Sequence, residues 1–513
     1  MKAFLMYPDR DFYLGQDLPL NEADLTSDLE LGVLLRAMAD GDKFLADVAR
    51  LGLHSGLTSP EEIAYRQHVL ADCIAQPSVV RDLYGVAIEA LTAEKKILGW
   101  LFRDSPETIV HRTRQLMQMY VDVLRRLRGF ADTHTASFRS EGFTRFFAML
   151  SKELGDEYLA EMEAHIDELA FRRGTLISAR LGKGSKGAGY LVRRQPEQSW
   201  RDRIPGMNRN RSGYSFYIAE RDETGMRTLS DLTSRGLNGT ANALAQSTDH
   251  IRAFFGMLRA ELGFYLGCLN LRDRLTAKGQ PVCFPEPIGP PPTDAGHARL
   301  SARGLYDASL ALTLGDATAV GNDVEADGKQ LIMITGANQG GKSTFLRSVG
   351  LAQLMMQAGL FVAAESFTAS VSTGIFTHFK REEDATMEKG KLDEELDRMS
   401  VIAGRIRAGC LLLCNESFAS TNEREGSEIA RQVIRALTEA GIRIIVVTHL
   451  YDLAGRCYAA RDPAALFLRA ERQPDGRRTF RVPPGEPLPT SYGEDLYRQV
   501  FAVILLAYLL GAV

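Results

Sequence analysis

The chain has 513 residues, 45% of them apolar and 25% charged, and this ordinary globular balance excludes wholesale disorder and fibrous repeats. Its 61 basic and 65 acidic residues give a net charge of −4, so any nucleic-acid surface must be local. The six cysteines are scattered without a Cys-x-x-Cys pair, which indicates reduced thiols in a cytoplasmic protein. No segment offers the roughly 20 apolar residues that span a bilayer, so we expect no membrane attachment.

The first half of the chain has the apolar spacing of helices. Residues 59–62, Ser-Pro-Glu-Glu, are typical of a helix start, because serine caps free amide groups and proline fits the first turn. Helical spacing continues across 80–130 and 249–274. We therefore predict a helical core domain over 1–130 and lever helices over 131–280.

A strongly basic segment interrupts these helices. Residues 172–211 carry eleven Lys or Arg and two acidic residues, a local balance of +9, and their glycines favour loops. A short strand is predicted at 215–218, within a small basic insertion of about 172–220. Because such a segment can neutralise phosphates and release counter-ions, we favour nucleic-acid contact over a merely solvated surface. The candidate contacts are Arg180, Lys183, Lys186, Arg193, Arg194, Arg201 and Arg203.

A proline-rich linker at 281–297 leads into a region with alternating strand and helix patterns, predicted as a separate domain over 281–500. There a predicted strand at 330–334 is followed by a complete P-loop pattern and a predicted helix at 345–357. The candidate nucleotide-binding residues are Gly336, Ala337, Asn338, Gln339, Gly340, Gly341, Lys342, Ser343 and Thr344. The glycines let backbone amides face phosphates, Lys342 can reach the β- and γ-phosphates, and Ser343 can ligate Mg²⁺. The pattern therefore predicts an ATP site.

Two further strand ends supply polar groups to this site. An apolar run at 410–414 is suited to a buried parallel strand and ends in Asn415 and Glu416, where P-loop ATPases usually carry Asp-Glu. The Asn415 amide can hydrogen-bond a water molecule bound to Mg²⁺ but adds no negative charge. Glu416 is the candidate base. After a helix at 426–440, the next strand delivers His449, which we interpret as a γ-phosphate sensor. The candidate catalytic residues are Glu416, His449 and Lys342, and the candidate metal ligands are Ser343 and Asn415.

These motifs together carry a family resemblance. The matching segments are 335–347 (Thr-Gly-Ala-Asn-Gln-Gly-Gly-Lys-Ser-Thr-Phe-Leu-Arg), 321–323 (Gly-Asn-Asp), 448–450 (Thr-His-Leu), Thr421 and Gly426. With them the sequence resembles the MutS family of DNA mismatch-repair ATPases, and residues 28–31 and 59–67 look like the opening of that family's helical core. The resemblance implies DNA binding, ATP and Mg²⁺ as cofactors, a homodimer with composite nucleotide sites, and a DNA clamp where the basic insertion lies.

Several positions depart from the family pattern. The helical core begins almost at Met1, so we expect no mismatch-reading or connector domain before it, and direct mismatch binding is in question. The family's trans-acting serine is missing from 388–392, where Lys391 is the remaining candidate for contact across a dimer, and the adenine-stacking aromatic is missing from 318–320. Together with Asn415, these departures predict slow hydrolysis. The alternative is a nucleotide-gated DNA- or RNA-binding scaffold with little or no turnover.

We therefore expect a helical core and lever domain with a small basic β-containing insertion, followed by an ABC-type P-loop ATPase domain with a mainly parallel sheet. The acidic residues of 382–395 are interpreted as a solvated helix face. The last residues, 500–513, are uniformly apolar but too short to span a bilayer. We expect the tail, 501–513, to dock on the ATPase domain or on a dimer partner.

Overall fold

The computed structural model describes residues 1–98, 105–172, 174–195, 216–290, 298–381 and 390–489. The helices are α1 (Glu22–Asp28), α2 (Leu31–Ala39), α3 (Lys43–His54), α4 (Pro60–Ala75), α5 (Pro77–Leu98), α6 (Pro106–His134), α7 (Glu141–Glu153), α8 (Asp156–Glu168), α9 (Glu223–Ala277), α10 (Ala308–Thr313), α11 (Lys342–Gln357), α12 (Lys391–Arg405), α13 (Glu423–Glu439) and α14 (Tyr451–Ala459). The strands are β1 (Leu176–Leu181), β2 (Gly187–Arg193), β3 (Glu286–Ile288), β4 (Leu300–Leu305), β5 (Asn322–Glu325), β6 (Leu331–Gly336), β7 (Ser366–Ser370), β8 (Ile375–Phe379), β9 (Leu411–Asn415), β10 (Arg443–Val447) and β11 (Ala465–Ala470).

The chain divides into two compact units. The first comprises Met1–Ala3, Ser78–Arg139 and Phe143–Arg259, and the second comprises Phe4–Pro77, Ser140–Gly142 and everything from Ala260 onward. The first unit is helical and carries the β1–β2 hairpin, whereas the second holds helices α1–α4 and the larger sheets. The predicted tail at 501–513 lies outside the described residues.

Helix starts in both units follow the predicted capping chemistry. At the start of α4 the Ser59 hydroxyl accepts the backbone N–H of Glu62 at 3.2 Å, and Pro60 occupies the first turn. The Glu62 carboxylate forms an ion pair with Arg10 at 2.6 Å. Ser105 caps α6 in the same way before Pro106. Local sequence thus determines where these helices begin.

The basic insertion contains a two-stranded antiparallel hairpin. Its strands β1 and β2 pair Ile177 with Val192, and a side chain at Gly236 of α9 would lie 2.7 Å from Ile177. The strand predicted at 215–218 is wrong: among its described residues, Phe216 and Tyr217 lie in no strand and are more than 80% exposed. A strand needs a hydrogen-bonded neighbour and an apolar surface to cover, and the hairpin rather than this segment has both.

The second unit contains the predicted parallel sheet. Five strands lie in the order β11-β6-β10-β9-β8, and every described pair among them is parallel. A four-stranded sheet in the order β3-β7-β4-β5 lies in the same unit, and its strand β3 falls inside the predicted linker at 281–297. The expected fold class, a helical region followed by an ABC-type P-loop ATPase domain, is confirmed.

Buried apolar residues explain why the central strands form. All four residues from Leu411 to Cys414 in β9 are buried, as expected for a strand covered on both faces. Helix α13 contributes Ile434 and Leu437 to the same core. Because parallel strands end at a common edge, this packing brings the ends of β6, β9 and β10 together. Among the described helices, none is both long and apolar enough to cross a membrane.

Candidate nucleotide-binding site

The loop between β6 and α11 depends on glycine at defined positions. Gly336 and Gly341 have φ of +109° and +89°, a region that favours glycine. A side chain at Gly336 would lie 2.9 Å from the backbone nitrogen of Ala470, and one at Gly340 would lie 2.8 Å from the carbonyl oxygen of Ala337. The loop therefore lies close to β11 and keeps its backbone accessible to a ligand.

Helix α11 begins directly after this loop. Its N-cap residue, Gly341, provides no capping side chain, so the first amide groups of the helix remain available to an acceptor. The helix dipole adds partial positive charge at the same end. With the loop amides, this is the arrangement that binds phosphate oxygens in P-loop proteins.

The Lys342 side chain is held inside the loop. Its Nζ donates hydrogen bonds to the carbonyl oxygens of Gly336 and Ala337 at 3.0 and 2.9 Å, and the residue is only 5% exposed. Burial lowers the pKa of Lys342 below its ordinary value, while the charge of Glu416 opposes that shift. A phosphate anion would give this ammonium group a charged partner in place of neutral carbonyls.

Ser343 and Asn415 meet across the site. The Ser343 hydroxyl donates a hydrogen bond to Asn415 Oδ1 at 2.9 Å, although 72 residues separate them. The contact arises because β9 ends beside the start of α11. A hydroxyl and an amide oxygen are suitable Mg²⁺ ligands, but neither brings negative charge. These two residues fit a Mg²⁺ ion that takes its anionic ligands from phosphate oxygens.

Glu416 and His449 follow adjacent strands. The backbone N–H of Glu416 donates to the carbonyl oxygen of Val447 at 2.9 Å, which fixes the end of β9 against β10. His449 Nδ1 lies 3.8 Å from Glu416 Oε1. This interaction with His449, and then the charge of Lys342, holds the pKa of Glu416 below its ordinary value. Glu416 is therefore an ionised carboxylate at neutral pH.

The predicted residues line one open pocket of about 440 Å³. Its wall is formed by Asn338, Gln339, Gly340, Gly341, Lys342, Ser343, Thr344, Glu416 and His449. The remaining predicted members, Gly336, Ala337 and Asn415, contact this set through Lys342 and Ser343. Residues predicted from three separate strand ends thus lie around a single opening.

A segment after β11 also borders the loop, and sequence reasoning did not identify it. Arg478 Nε donates to the carbonyl oxygen of Asn338 at 3.2 Å, and a side chain at Gly341 would lie 3.3 Å from the carbonyl oxygen of Phe480. Asn322 holds this segment by donating to Phe480 O at 3.2 Å and accepting from Val482 N at 2.8 Å. Of Arg478, Phe480, Val482 and Asn322, only Asn322 had a sequence signal, its place in the resembling segment 321–323.

One acidic residue differs from its predicted environment. Glu395 in α12 is 5% exposed and accepts the Ser420 hydroxyl at 2.8 Å, so the interpretation of the whole run as a solvated face is wrong at this position. Helix α12 packs against β8, and the backbone carbonyl oxygen of Glu395 contacts His378 Nε2 from that strand at 3.0 Å. Asp393 and Lys391 are exposed, while residues 382–389 lie outside the described residues.

The basic residues of the hairpin belong to the first unit. Arg180, Lys183, Lys186, Arg193 and Arg194 are all exposed, and Arg201 and Arg203 lie outside the described residues. Arg193 Nε donates to the Ser178 hydroxyl at 2.9 Å, and Arg194 forms an ion pair with Glu168 at 2.5 Å. These contacts orient the two arginines and leave much of each side chain in solvent.

The parallel sheet, the glycine loop and the polar strand ends define a P-loop ATPase domain. Two protein-family models match the sequence: the MutS2 N-terminal domain matches residues 58–278, and MutS domain V matches residues 332–486. The chain is a member of the MutS family.

Curated relatives match over shorter segments. The Endonuclease MutS2 of Thermomicrobium roseum is 35% identical over 170 residues, which is 33% of this chain and 21% of that protein. The DNA mismatch repair protein MutS of Thermotoga sp. (strain RQ2) is 33% identical over 135 residues, or 26% of this chain and 17% of that protein. The chain thus spans only about a fifth of the length of these relatives.

Proposed function

We propose that this chain binds Mg²⁺–ATP, hydrolyses it slowly, and couples its nucleotide state to DNA binding. The observation that carries the proposal is the convergence of Lys342, Ser343, Asn415, Glu416 and His449 around one glycine-rich loop. A lysine, a hydroxyl and an ionised carboxylate at a helix N-terminus are the groups that phosphoryl transfer from ATP requires.

Each residue has a distinct role in this proposal. Lys342 neutralises the β- and γ-phosphates, and Ser343 and Asn415 hold Mg²⁺. The ion, when bound, would withdraw charge from the transferring phosphoryl group. Glu416 orients the attacking water. His449, whose Nδ1 lies 3.8 Å from Glu416 Oε1, senses the γ-phosphate. Since Asn415 adds no charge, the metal is held loosely, which costs transition-state stabilisation more than ground-state binding.

Replacing Lys342 tests the site directly. Lys342→Ala should raise the Kd for ATP at least about tenfold, because the β- and γ-phosphates lose the ammonium group that neutralises their charge. Equilibrium dialysis with radiolabelled ATP measures the change. Lys329→Ala is the matched control, since Lys329 lies in the same unit and its Nζ contacts the carbonyl oxygen of Pro463 instead. Equal affinities for wild type and Lys342→Ala would refute the assignment.

DNA is the proposed partner, and the exposed basic hairpin is the proposed contact. The relatives' names refer to an endonuclease and to DNA mismatch repair, which supports a DNA substrate. We further propose a homodimer in the cytoplasm whose nucleotide sites are completed across the interface. Binding assays with duplex, branched, mismatched and RNA ligands, with and without ATP, would identify the substrate.

Asn415 also favours a second candidate, a nucleotide-gated DNA- or RNA-binding scaffold that does not turn over. Without a carboxylate beside Ser343, ATP could be bound but not cleaved at a useful rate. Radiolabelled ATP distinguishes the two candidates. Binding without phosphate release supports the scaffold, whereas release that depends on Glu416 supports the slow ATPase.

A further inference from the structure

A buried polar cluster lies directly behind the candidate catalytic turn. His378, near the end of β8, is fully buried, and Ser417, Phe418 and Glu395 around it are at most 8% exposed. His378 Nδ1 lies 2.7 Å from the Ser417 hydroxyl, and Nε2 lies 3.0 Å from the backbone carbonyl oxygen of Glu395. One imidazole thus connects the residue after Glu416 to helix α12.

The partners of His378 determine its protonation. A carbonyl oxygen only accepts, so Nε2 must carry hydrogen to bond Glu395. Burial lowers the pKa of His378 to about 4, so the ring is neutral at pH 7 and Nδ1 is an acceptor. The one hydrogen of the Ser417 hydroxyl is shared between Nδ1 at 2.7 Å and the backbone carbonyl oxygen of His378 at 2.9 Å. The ring is therefore held in one tautomer and one orientation by two different elements.

The turn itself has an unusual backbone. Glu416 and Phe418 have φ of +54° and +60°, in the left-handed region that a glutamate or a phenylalanine rarely adopts. Such conformations persist only where surrounding contacts hold them, and they cluster at functional sites. Here the Phe418 ring stacks on His378, with centroids 5.5 Å apart and planes at 28°. His378 thus contacts both Ser417 and Phe418, the two residues that follow Glu416.

We propose that His378 is a positioning residue that holds Glu416 in place and links it to helix α12. The role rests on the proposed hydrolysis of ATP by this site. The imidazole would not touch the nucleotide. It would act through Ser417 and Phe418, and its bond to Glu395 would transmit a shift of the turn to α12, which begins at Lys391.

His378→Phe tests the role, since it keeps a ring against Phe418 and removes both nitrogen contacts. We expect kcat for ATP to fall about tenfold or more, because small misplacements of a catalytic group are costly. The Kd for ATP should stay within about twofold, since the P-loop is untouched. Ser427→Ala is the matched control, because Ser427 in α13 is also buried and its hydroxyl has no hydrogen-bond partner among the described residues. It should leave both quantities unchanged.

Hydrogen exchange provides a measurement that does not depend on turnover. In wild type, Mg²⁺–ATP should slow amide exchange both at the turn 416–420 and in the first turns of α12. In His378→Phe the slowing should persist at the turn and disappear from α12. If His378→Phe does not fold, Ser417→Ala removes both contacts of the Ser417 hydroxyl with His378, to Nδ1 and to the backbone carbonyl oxygen, and should lower kcat in the same sense.

Three results would overturn the positioning role. Unchanged kcat with unchanged protection of α12 would show that the contact transmits nothing. A parallel loss of ATP affinity and turnover would mark His378 as merely structural. Wild-type protein that binds no ATP would refute the proposed function first, and the role of His378 with it. If wild type binds ATP without turnover, the exchange measurement alone decides.

Discussion

Asn415 lies at the end of β9, where its amide oxygen accepts the Ser343 hydroxyl at 2.9 Å. Since Mg²⁺ prefers anionic oxygen, a carboxylate here should hold the ion more firmly. Asn415→Asp should therefore lower the Mg²⁺ concentration needed for half-maximal activity and raise kcat about tenfold, some 1.4 kcal/mol of transition-state stabilisation. Phosphate release measured across a Mg²⁺ titration would detect both effects.

Two controls accompany this substitution. ATP affinity measured without metal should change little in Asn415→Asp, and Glu416→Gln should abolish the remaining turnover because the amide cannot accept a proton. If Asn415→Asp alters neither the Mg²⁺ dependence nor the rate, Asn415 does not face the metal in the working protein.

Glu261 predicts a pH dependence of stability. This carboxyl is fully buried, its Oε2 accepts the backbone N–H of Leu5 at 2.6 Å, and burial raises its pKa to about 7. Below the ordinary pKa of 4.5 the group is protonated in both the folded and the unfolded chain. Between pH 4.5 and about 7 the unfolded chain releases this proton while the folded state keeps it, so the free energy of unfolding should fall by about 3 kcal/mol across this range and level off above it.

Denaturant unfolding of wild type and Glu261→Gln at pH 5 and pH 8 measures this contribution. The difference in unfolding free energy between the two proteins should shift by about 3 kcal/mol in favour of the variant at pH 8. Glu439→Gln, at an exposed position of α13, should show no such shift. A constant difference between wild type and Glu261→Gln would mean that Glu261 keeps one protonation state across this range.

A short motif with specific chemistry predicted from sequence which side chains lie close together. Lys342 and Ser343 were identified from spacing alone, and the structure places them with Asn415, Glu416 and His449. Phe480 was not identified as a neighbour of the loop, and Glu395 was predicted to be solvated although it is buried. Their environments depend on contacts with residues far away in the chain, such as Asn322, and no local pattern encodes such contacts.

At the scale of elements, the β1–β2 hairpin presents a testable surface. Its turn carries Lys183 and Lys186, both exposed. If both contact phosphates, Lys183→Ala/Lys186→Ala should weaken DNA binding and reduce the slope of log K against log salt by up to about 1.8, or 0.9 for each lost contact. Fluorescence anisotropy on one duplex at several salt concentrations provides this slope.

A charge-matched control isolates the position of the lysines. Arg125→Ala/Arg126→Ala removes the same charge from α6 in the same unit, where the two arginines already pair with Glu163 and Glu89. The control should leave the salt slope near that of wild type. Equal slopes for the hairpin variant and wild type would leave the hairpin as a solvated surface.

A helix or strand could be predicted from sequence where a continuous pattern of its own residues determines it. The strand at 410–414 and the helix after the P-loop are continuous local patterns, and the structure contains them as β9 and α11. The hairpin was harder, because β1 is stabilised by pairing with β2 and by the helix beneath it. A similar apolar pattern at 215–218 forms no strand at its described residues, 216–218, so the local pattern alone was not sufficient.

At the scale of the whole molecule, the proposed homodimer makes a prediction about mixtures. Lys391, exposed at the start of α12, is the candidate to reach a nucleotide bound by the other subunit. Glu416 serves the nucleotide of its own subunit. If both are needed at each composite site, Lys391→Ala and Glu416→Gln should each be nearly inactive as pure proteins, for different reasons.

Mixing the two variants should then restore activity. In a mixed dimer, the site on the Lys391→Ala subunit keeps its own Glu416 and receives an intact lysine from the other chain. Random exchange makes about half of the dimers mixed, each with one complete site, so phosphate release should recover to about a quarter of the wild-type rate. The rate is measured after incubation at fixed total protein, with light scattering to verify the dimer. Activity equal to the mean of the two separate variants would instead show that each site is complete within one chain.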